Sequence, residues 1–330
     1  MKRKIEDYWI TNSPDRLPDF IIGGAMKSGT TSLHTILGRH PDVDMAHDEL
    51  GFFDMDSLIQ HPDFNFYDRR NDQWIHQNMN SAPGRYWSWY FEQFPSKSKN
   101  QGLTGEDSTT YLASEQAAER IAAQAKTIKM IFILRHPTHR AISNYLHLLK
   151  SGRAIYSLED TLRFNPHSIL NRSRYKSQLE GYLRHMEAKN ILVIGFERFL
   201  SNKRETMKEV CEFLGLDFGK YQHADLDAHS NRTRSPKHFK LQLWRNRMLR
   251  RTGNLRYATH LPVRPEKLPK KSFKARLIDS FHNKINPRSH KNRFKPKKST
   301  MEYMDSYFKC DLAGLDELVG KPLMKKWFNH

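Results

Sequence analysis

The sequence predicts an α/β protein, a three-layer parallel sheet with helices on both faces. Three observations lead there. Short apolar runs alternate with segments of helical period along the chain. The strongest run, residues 128–134, combines β-branched and aromatic side chains with no breaker. A chain of 330 residues, 38% of them hydrophobic, also suffices for a substantial core.

The elements follow in order. Residues 19–24 form an apolar run closed by Gly23 and Gly24, and the next segment carries Leu33, Ile36 and Leu37 on one helical face. A short strand over 101–106 precedes a helix over 114–125. Strand 128–134 passes through Arg135-His136-Pro137 into a helix bearing Ala141, Tyr145 and Leu148. Residues 190–195 repeat the scheme, and a helix over 203–214 stops at Gly215. Residues 50–100, with Trp74, Trp87, Trp89 and Phe91, read as aromatic connecting segments packed over the sheet. The expected organisation is an N-terminal arm over 1–18 and a single domain over 19–330. Within that domain, 236–298 reads as a basic insertion or flap holding six of the fifteen prolines, and 301–327 as a closing segment.

Charge is concentrated in one place. The formal net charge is +19, and residues 234–298 alone hold 21 Lys or Arg against two acids, Glu266 and Asp279. Such a field attracts anions: nucleic acid, acidic glycan, anionic lipid or a polyphosphorylated cofactor. Composition excludes a disordered tail, a collagen-like chain and a disulfide miniprotein. The two cysteines, Cys211 and Cys310, allow at most one disulfide and have no partner at metal-ligand spacing. No stretch reaches the roughly 18 apolar residues of a membrane span, and the basic N-terminus lacks the apolar run of a secretion signal. A reducing, cytoplasmic setting is the expectation.

Gly24-Ala25-Met26-Lys27-Ser28-Gly29-Thr30-Thr31-Ser32 joins the first strand to its helix. A strand, a glycine-bounded turn and a helix N-terminus make an anion cradle, because backbone N–H groups converge and the helix dipole adds partial positive charge. Lys27 contributes a point charge, and Thr30, Thr31 and Ser32 contribute hydroxyl donors. Gly24 and Gly29 keep the G-x-x-x-x-G spacing of a nucleoside triphosphatase loop, but Thr30-Thr31 stand where Lys-Ser/Thr is needed. Such an enzyme also needs an acid at the end of a buried strand to hold magnesium. Strand 128–134 ends in Arg135 instead. The residues therefore predict a nucleotide anion held by protein cations and donors without a metal. A P-loop nucleotide kinase is the alternative enzyme.

Together these segments resemble the sulfotransferases that use 3′-phosphoadenosine-5′-phosphosulfate (PAPS), in the branch of the heparan sulfate 3-O-sulfotransferases and related bacterial carbohydrate sulfotransferases. Lys27-Ser28-Gly29-Thr30-Thr31 is similar to that family's K-x-G-T-[ST] loop, which binds the 5′-phosphosulfate end. Residues 135–143 match its R-x-P-x-x-R-x-x-S motif, whose first arginine and last serine, here Arg135 and Ser143, bind the 3′-phosphate. Residues 173–179 resemble its Y-x-x-Q-L helix, and 191–216 and 307–327 resemble later segments. Residues 231–236 take the place of a loop that caps the cofactor in relatives, where Arg234 and Lys237 would add phosphate contacts. The resemblance implies the P-loop-like sulfotransferase fold, PAPS as cofactor, 3′-phosphoadenosine-5′-phosphate as product, and a hydroxyl-bearing acceptor, a saccharide or glycolipid.

Sulfuryl transfer, like phosphoryl transfer, relies on positioning and electrostatics. Lys27 is placed to stabilise the leaving phosphate. Residues 47–54 resemble the K-E-x-H-F-F-D segment of the 3-O-sulfotransferases, whose glutamate is the general base. By that match Glu49 is the base, with His47 as the alternative. Three acceptor-side positions depart: Asp48 replaces a lysine, Gly51 a histidine, and Asp107 the lysine of E-K-x-P-x-Y. The cofactor side is kept and the acceptor side is changed. The basic 236–298 stretch would guide an acidic glycan or hold the protein against anionic lipid at the inner face of the membrane. A nucleic-acid-binding protein is the third reading, motivated by charge alone, since no RNA or DNA module is recognisable.

Overall fold

The computed structural model describes residues 5–62, 64–68, 71–95, 102–226, 235–249, 273–289 and 292–328. Strand β1 (Phe20–Gly24) feeds α1 (Thr30–Leu37), which leads to β2 (Val43–Met45). The hairpin β3 (Phe66–Asp68) and β4 (Gln73–Ile75) and helix α2 (Pro83–Glu92) precede β5 (Leu103–Asp107), α3 (Glu115–Ala122) and β6 (Lys129–Leu134). Next come α4 (Pro137–Ser151), α5 (Leu158–Phe164), α6 (His167–Leu170), α7 (Tyr175–His185), β7 (Ile191–Gly195), α8 (Phe196–Ser201) and α9 (Lys203–Leu214). The remainder holds β8 (Ser235–Pro236), α10 (Phe239–Leu249), α11 (Phe273–Ile285), β9 (Arg288–Ser289), α12 (Lys298–Asp311), α13 (Leu315–Val319) and α14 (Leu323–Phe328). Two compact units result: Met1–His136 with Tyr175–Ser230 and Leu312–His330, and Pro137–Arg174 with Asn231–Asp311.

The first unit is built on a five-stranded sheet of order β2-β5-β1-β6-β7, parallel throughout. Its strands read as near-continuous apolar runs because alternate residues enter different helix layers. Phe20, Ile22, Ile131 and Ile133 share one core with Leu33 and Leu37 of α1 and Met207 and Val210 of α9. Phe132 points to the opposite layer, where its ring meets Tyr182 of α7 edge-on at 4.7 Å. The three layers read from the sequence are thus present.

Local signals set the helix ends. The Ser114 hydroxyl caps α3 by accepting from the Ala117 N–H at 3.3 Å. Helix α9 stops where Gly215 takes φ 79° and Leu216 N donates to the Cys211 carbonyl at 2.8 Å. The aromatic 50–100 region is more ordered than a set of connections, because α2 buries Tyr86, Trp87, Tyr90 and Phe91. Phe52 stacks on Tyr90 at 4.3 Å and meets Trp9 edge-on, while the Arg120 guanidinium lies 3.6 Å from the Trp9 ring centroid. Each such ring contributes about 1.5–3 kcal/mol through burial. Trp9, within the expected N-terminal arm, helps to close this cluster, whereas Trp74 stays exposed.

The second unit packs Ile142, Tyr145 and Leu149 of α4 against Leu158 of α5, Ile169 of α6 and Leu243 of α10. Arg140, the second arginine of the 135–143 motif, is fully buried and donates to the Ser173 hydroxyl and the Ile169 carbonyl. It pins α4 to the α6 region. Helices α10 and α11 and the β8–β9 ladder occupy the stretch read as an insertion. No helix among the described residues is long and apolar enough to cross a membrane.

Candidate active site

From the neighbouring strands β1 and β6 the chain departs in opposite directions, toward β2 and toward β7. The crevice beyond the carboxyl ends of such a strand pair is where open parallel sheets bind ligands. Two segments open onto it, the loop after β1 and Arg135 after β6.

The loop takes its shape from two left-handed residues, Lys27 at φ 70° and Gly29 at φ 90°. Turns of this kind aim successive N–H groups into one concavity. At Gly29 an added Cβ would lie 2.8 Å from Phe196 Cε2, so only glycine lets the loop seat on α8. Ser28 is fully buried, and its Oγ has no hydrogen-bond partner among the described residues. Thr30 is buried, Ser32 half-buried and Thr31 exposed, and the first turn of α1 leaves the N–H groups of Thr30 and Thr31 without intrahelical acceptors.

Arg135 joins this loop directly. Its Nη1 donates to the Lys27 carbonyl at 3.1 Å, and its guanidinium lies over the Phe196 ring at 4.9 Å. The Tyr175 hydroxyl donates to the Arg135 carbonyl at 2.9 Å. Burial lowers the Arg135 pKa from its ordinary value, and the nearby Glu197 carboxylate opposes that shift. Glu197 is itself held by His136 N and Trp327 Nε1, each at 3.0 Å. A cation stripped of part of its water, an orphaned buried hydroxyl, a left-handed loop and a helix N-terminus fit a phosphate- or sulfate-bearing nucleotide. Ser143 is half-buried on α4, in the second unit, and Arg234 lies outside the described residues.

On the other side of the loop stand carboxyl groups. Glu49 is exposed, and its Oε2 accepts from Thr109 Oγ1 at 2.9 Å, which fixes the carboxylate's orientation. His47 and Asp48 beside it are exposed. Asp107 ends β5, is buried, and leaves Oδ1 without a partner while Oδ2 lies 3.9 Å from His34 Nδ1. Burial first, then the negative charges of Glu49 and Glu106, hold the Asp107 carboxyl well above the usual carboxylate range. Glu106 is buried among the hydroxyls of Tyr90, Ser108 and Tyr111, all donating to it.

His61 carries no sequence signature. Its ring packs on Gly51, where an added Cβ would lie 2.9 Å from His61 Cε1, and Gly51 has φ 56°. His61 Nε2 is 2.6 Å from Asp54 Oδ1, and its ring stacks on Phe64. The imidazole comes from an irregular segment with no periodicity that could have announced it.

A model of the sulfotransferase family matches residues 18–220. The chain belongs to the sulfotransferase family. Among relatives, the mouse (Mus musculus) heparan sulfate glucosamine 3-O-sulfotransferase 3B1 is 30% identical over 209 residues, covering 61% of this chain and 47% of that protein. The human heparan sulfate glucosamine 3-O-sulfotransferase 5 is 29% identical over 213 residues, covering 61% and 54%. The chain thus spans about half the length of these curated relatives. A sulfotransferase from Alicyclobacillus acidocaldarius shares the fold, with a TM-score of 0.57 at 20% identity over 94% of this chain and 98% of that one. Lys27, Glu49, Asp107 and Arg135 lie within the matched residues, whereas Arg234 and the segment 307–327 lie beyond them.

Proposed function

We propose that this sulfotransferase moves the sulfuryl group of PAPS to a hydroxyl of a saccharide or glycolipid acceptor. The observation that carries the reading is the contact of Arg135 with the Lys27 loop beside the orphaned Ser28 hydroxyl. PAPS supplies the transferable sulfuryl group. Lys27, Ser28 and the first turn of α1 bind its 5′ end, and Arg135 takes a second anion a nucleoside away. Lys27 opposes the charge that develops on the leaving phosphate. Glu49, oriented by Thr109, accepts the acceptor's proton.

The 3-O-sulfotransferase relatives carry heparan sulfate in their names. Here Asp48 and Asp107 stand where that branch has lysines, which favours an acceptor hydroxyl without anionic groups beside it. Thermal unfolding with 3′-phosphoadenosine-5′-phosphate in EDTA tests the reading. The nucleotide should raise the midpoint by several degrees, roughly what about 100-fold saturation provides, and Arg135→Ala should abolish the shift. Stabilisation by ATP with magnesium alone would replace the reading with that of a kinase.

A further inference from the structure

Helices α10 and α11 of the second unit show large apolar side chains to solvent while burying amides beside Leu243, Leu249 and Ala275. Along α11, Phe273, Leu277, Phe281 and Ile285 recur every fourth residue and are 76%, 54%, 63% and 42% exposed. On α10, Trp244 and Met248 follow the same spacing and are also exposed. The inward faces carry Gln242, Asn246, His282 and Asn286, all buried. Asn246 Nδ2 donates to the carbonyls of Leu149 and Ala154 at 2.9 and 2.7 Å, and Asn286 Oδ1 accepts from His238 N at 2.7 Å. An Arg245–Asp279 ion pair links the two helices. Single exposed apolar side chains are ordinary, but a stripe on two linked helices whose buried sides hold the amides calls for an occupant.

The surrounding charge has one sign. Lys240, Arg247, Arg276 and Lys284 are exposed on these two helices, and Asp279, their single acid, is already paired with Arg245. A duplex or an acidic glycan would use the cations and leave the whole stripe in water, and single-stranded RNA could stack on the rings but would leave Leu277, Ile285 and Met248 uncovered. An anionic bilayer uses both, headgroups for the cations and the acyl boundary for the rings.

We propose that the α10–α11 face docks this protein on an anionic lipid surface. Phe273, Leu277, Phe281 and Trp244 enter the headgroup–acyl boundary, and Lys240, Arg247, Arg276 and Lys284 meet the lipid phosphates. Docking requires neither nucleotide nor the Lys27 loop, so it stands or falls independently of sulfuryl transfer.

Flotation of the full chain with phosphatidylcholine vesicles, with or without about 30 mol% phosphatidylserine, reads the binding. Anionic lipid should raise the bound fraction about ten-fold or more, and Leu277→Ser with Phe281→Ser should remove about ten-fold of it. The unfolding midpoint of that variant should stay within about 2 °C of the parent, because both side chains already face water. Lys240→Glu with Lys284→Glu should weaken binding comparably, as each cation near an anionic leaflet adds attraction. Vesicle binding indifferent to the paired serine substitutions would mark plain charge attraction and overturn the proposal. Absence of vesicle binding would also overturn it, whether sedimentation then shows a dimer broken by Phe281→Ser or the protein instead prefers single-stranded RNA.

Discussion

Arg135 Nη1 and the main-chain oxygen of Lys27 are 3.1 Å apart, so the cation expected at one end of the nucleotide also fixes the loop expected at the other. The two signatures, far apart in sequence, form one object. Arg135→Lys keeps the charge but loses the planar fork that can serve the carbonyl and a phosphate together. Calorimetry with 3′-phosphoadenosine-5′-phosphate should show about 10–100-fold weaker binding for Arg135→Lys, and a larger loss for Arg135→Ala. Equal affinity for parent and Arg135→Lys would mean that Arg135 braces the loop without touching the ligand.

Among the described residues Glu49 accepts one hydrogen bond, from Thr109, and it is exposed; its role as base is a proposal that substitution tests. Glu49→Gln keeps the shape and removes the proton acceptor, so kcat should fall about 10²–10⁴-fold. Nucleotide affinity should change less than about two-fold, since the contacts of the Lys27 loop are untouched. Thr109→Val should give a smaller loss, on the order of ten-fold, through misorientation of the carboxylate. Full activity in Glu49→Gln would move the role to His47.

Asp107 makes stability depend on pH in a definite direction. Its folded-state pKa is raised by burial and by Glu49 and Glu106, so the folded chain holds a proton that the unfolded chain has lost. Between the usual carboxylate range and the raised value, stability therefore falls as pH rises, and it levels off above that window. Asp107→Asn removes the titration. Its midpoint should match the parent at about pH 3, rise above it through the window, and hold a constant lead beyond. A lead independent of pH would show that Asp107 does not titrate in this way.

Restoring the family's histidine at position 51 should harm this chain. Gly51 has φ 56° and its Cα is covered by His61. Gly51→His should cost about 1–2 kcal/mol from backbone strain alone, with the clash added. His61→Ala should cost about 1–3 kcal/mol in the parent, because it strips a partner from the buried Asp54, and less in the Gly51→His background. Denaturant unfolding of the four proteins measures the coupling, and strict additivity would rule out the exchange of one imidazole for the other.

Much of the sheet was legible because its determinants are local. The run 128–134, β-branched, aromatic and without a breaker, read as the strongest strand and forms β6 (Lys129–Leu134); Gly215 announced the end of α9 from its own backbone freedom. Strand β2, three residues long, has too little periodicity to register, and α2 was hidden among aromatics that neither alternate nor follow a clean helical period. In the site, Lys27, Ser28 and Arg135 were readable from motif spacing, whereas His61 was not. Its role arises from contact with Gly51, Asp54 and Thr110 after the chain has folded back.

The amino-acid order alone announced the alternating strands and helices, the glycine-bounded turn after the first strand and the cationic end of strand 128–134, because each depends on neighbours within a few residues. Only the tertiary structure decided that Arg135 and the Lys27 loop touch, that burial and two neighbouring acids raise the Asp107 pKa, and that α10 and α11 show apolar side chains to solvent. Those outcomes depend on which distant groups share a small volume, and on how much water is left between them. Helical spacing places Phe281 and Asn246 on faces of their helices but does not say which face turns inward; the carbonyls of Leu149 and Ala154, waiting for the Asn246 amide, settle that.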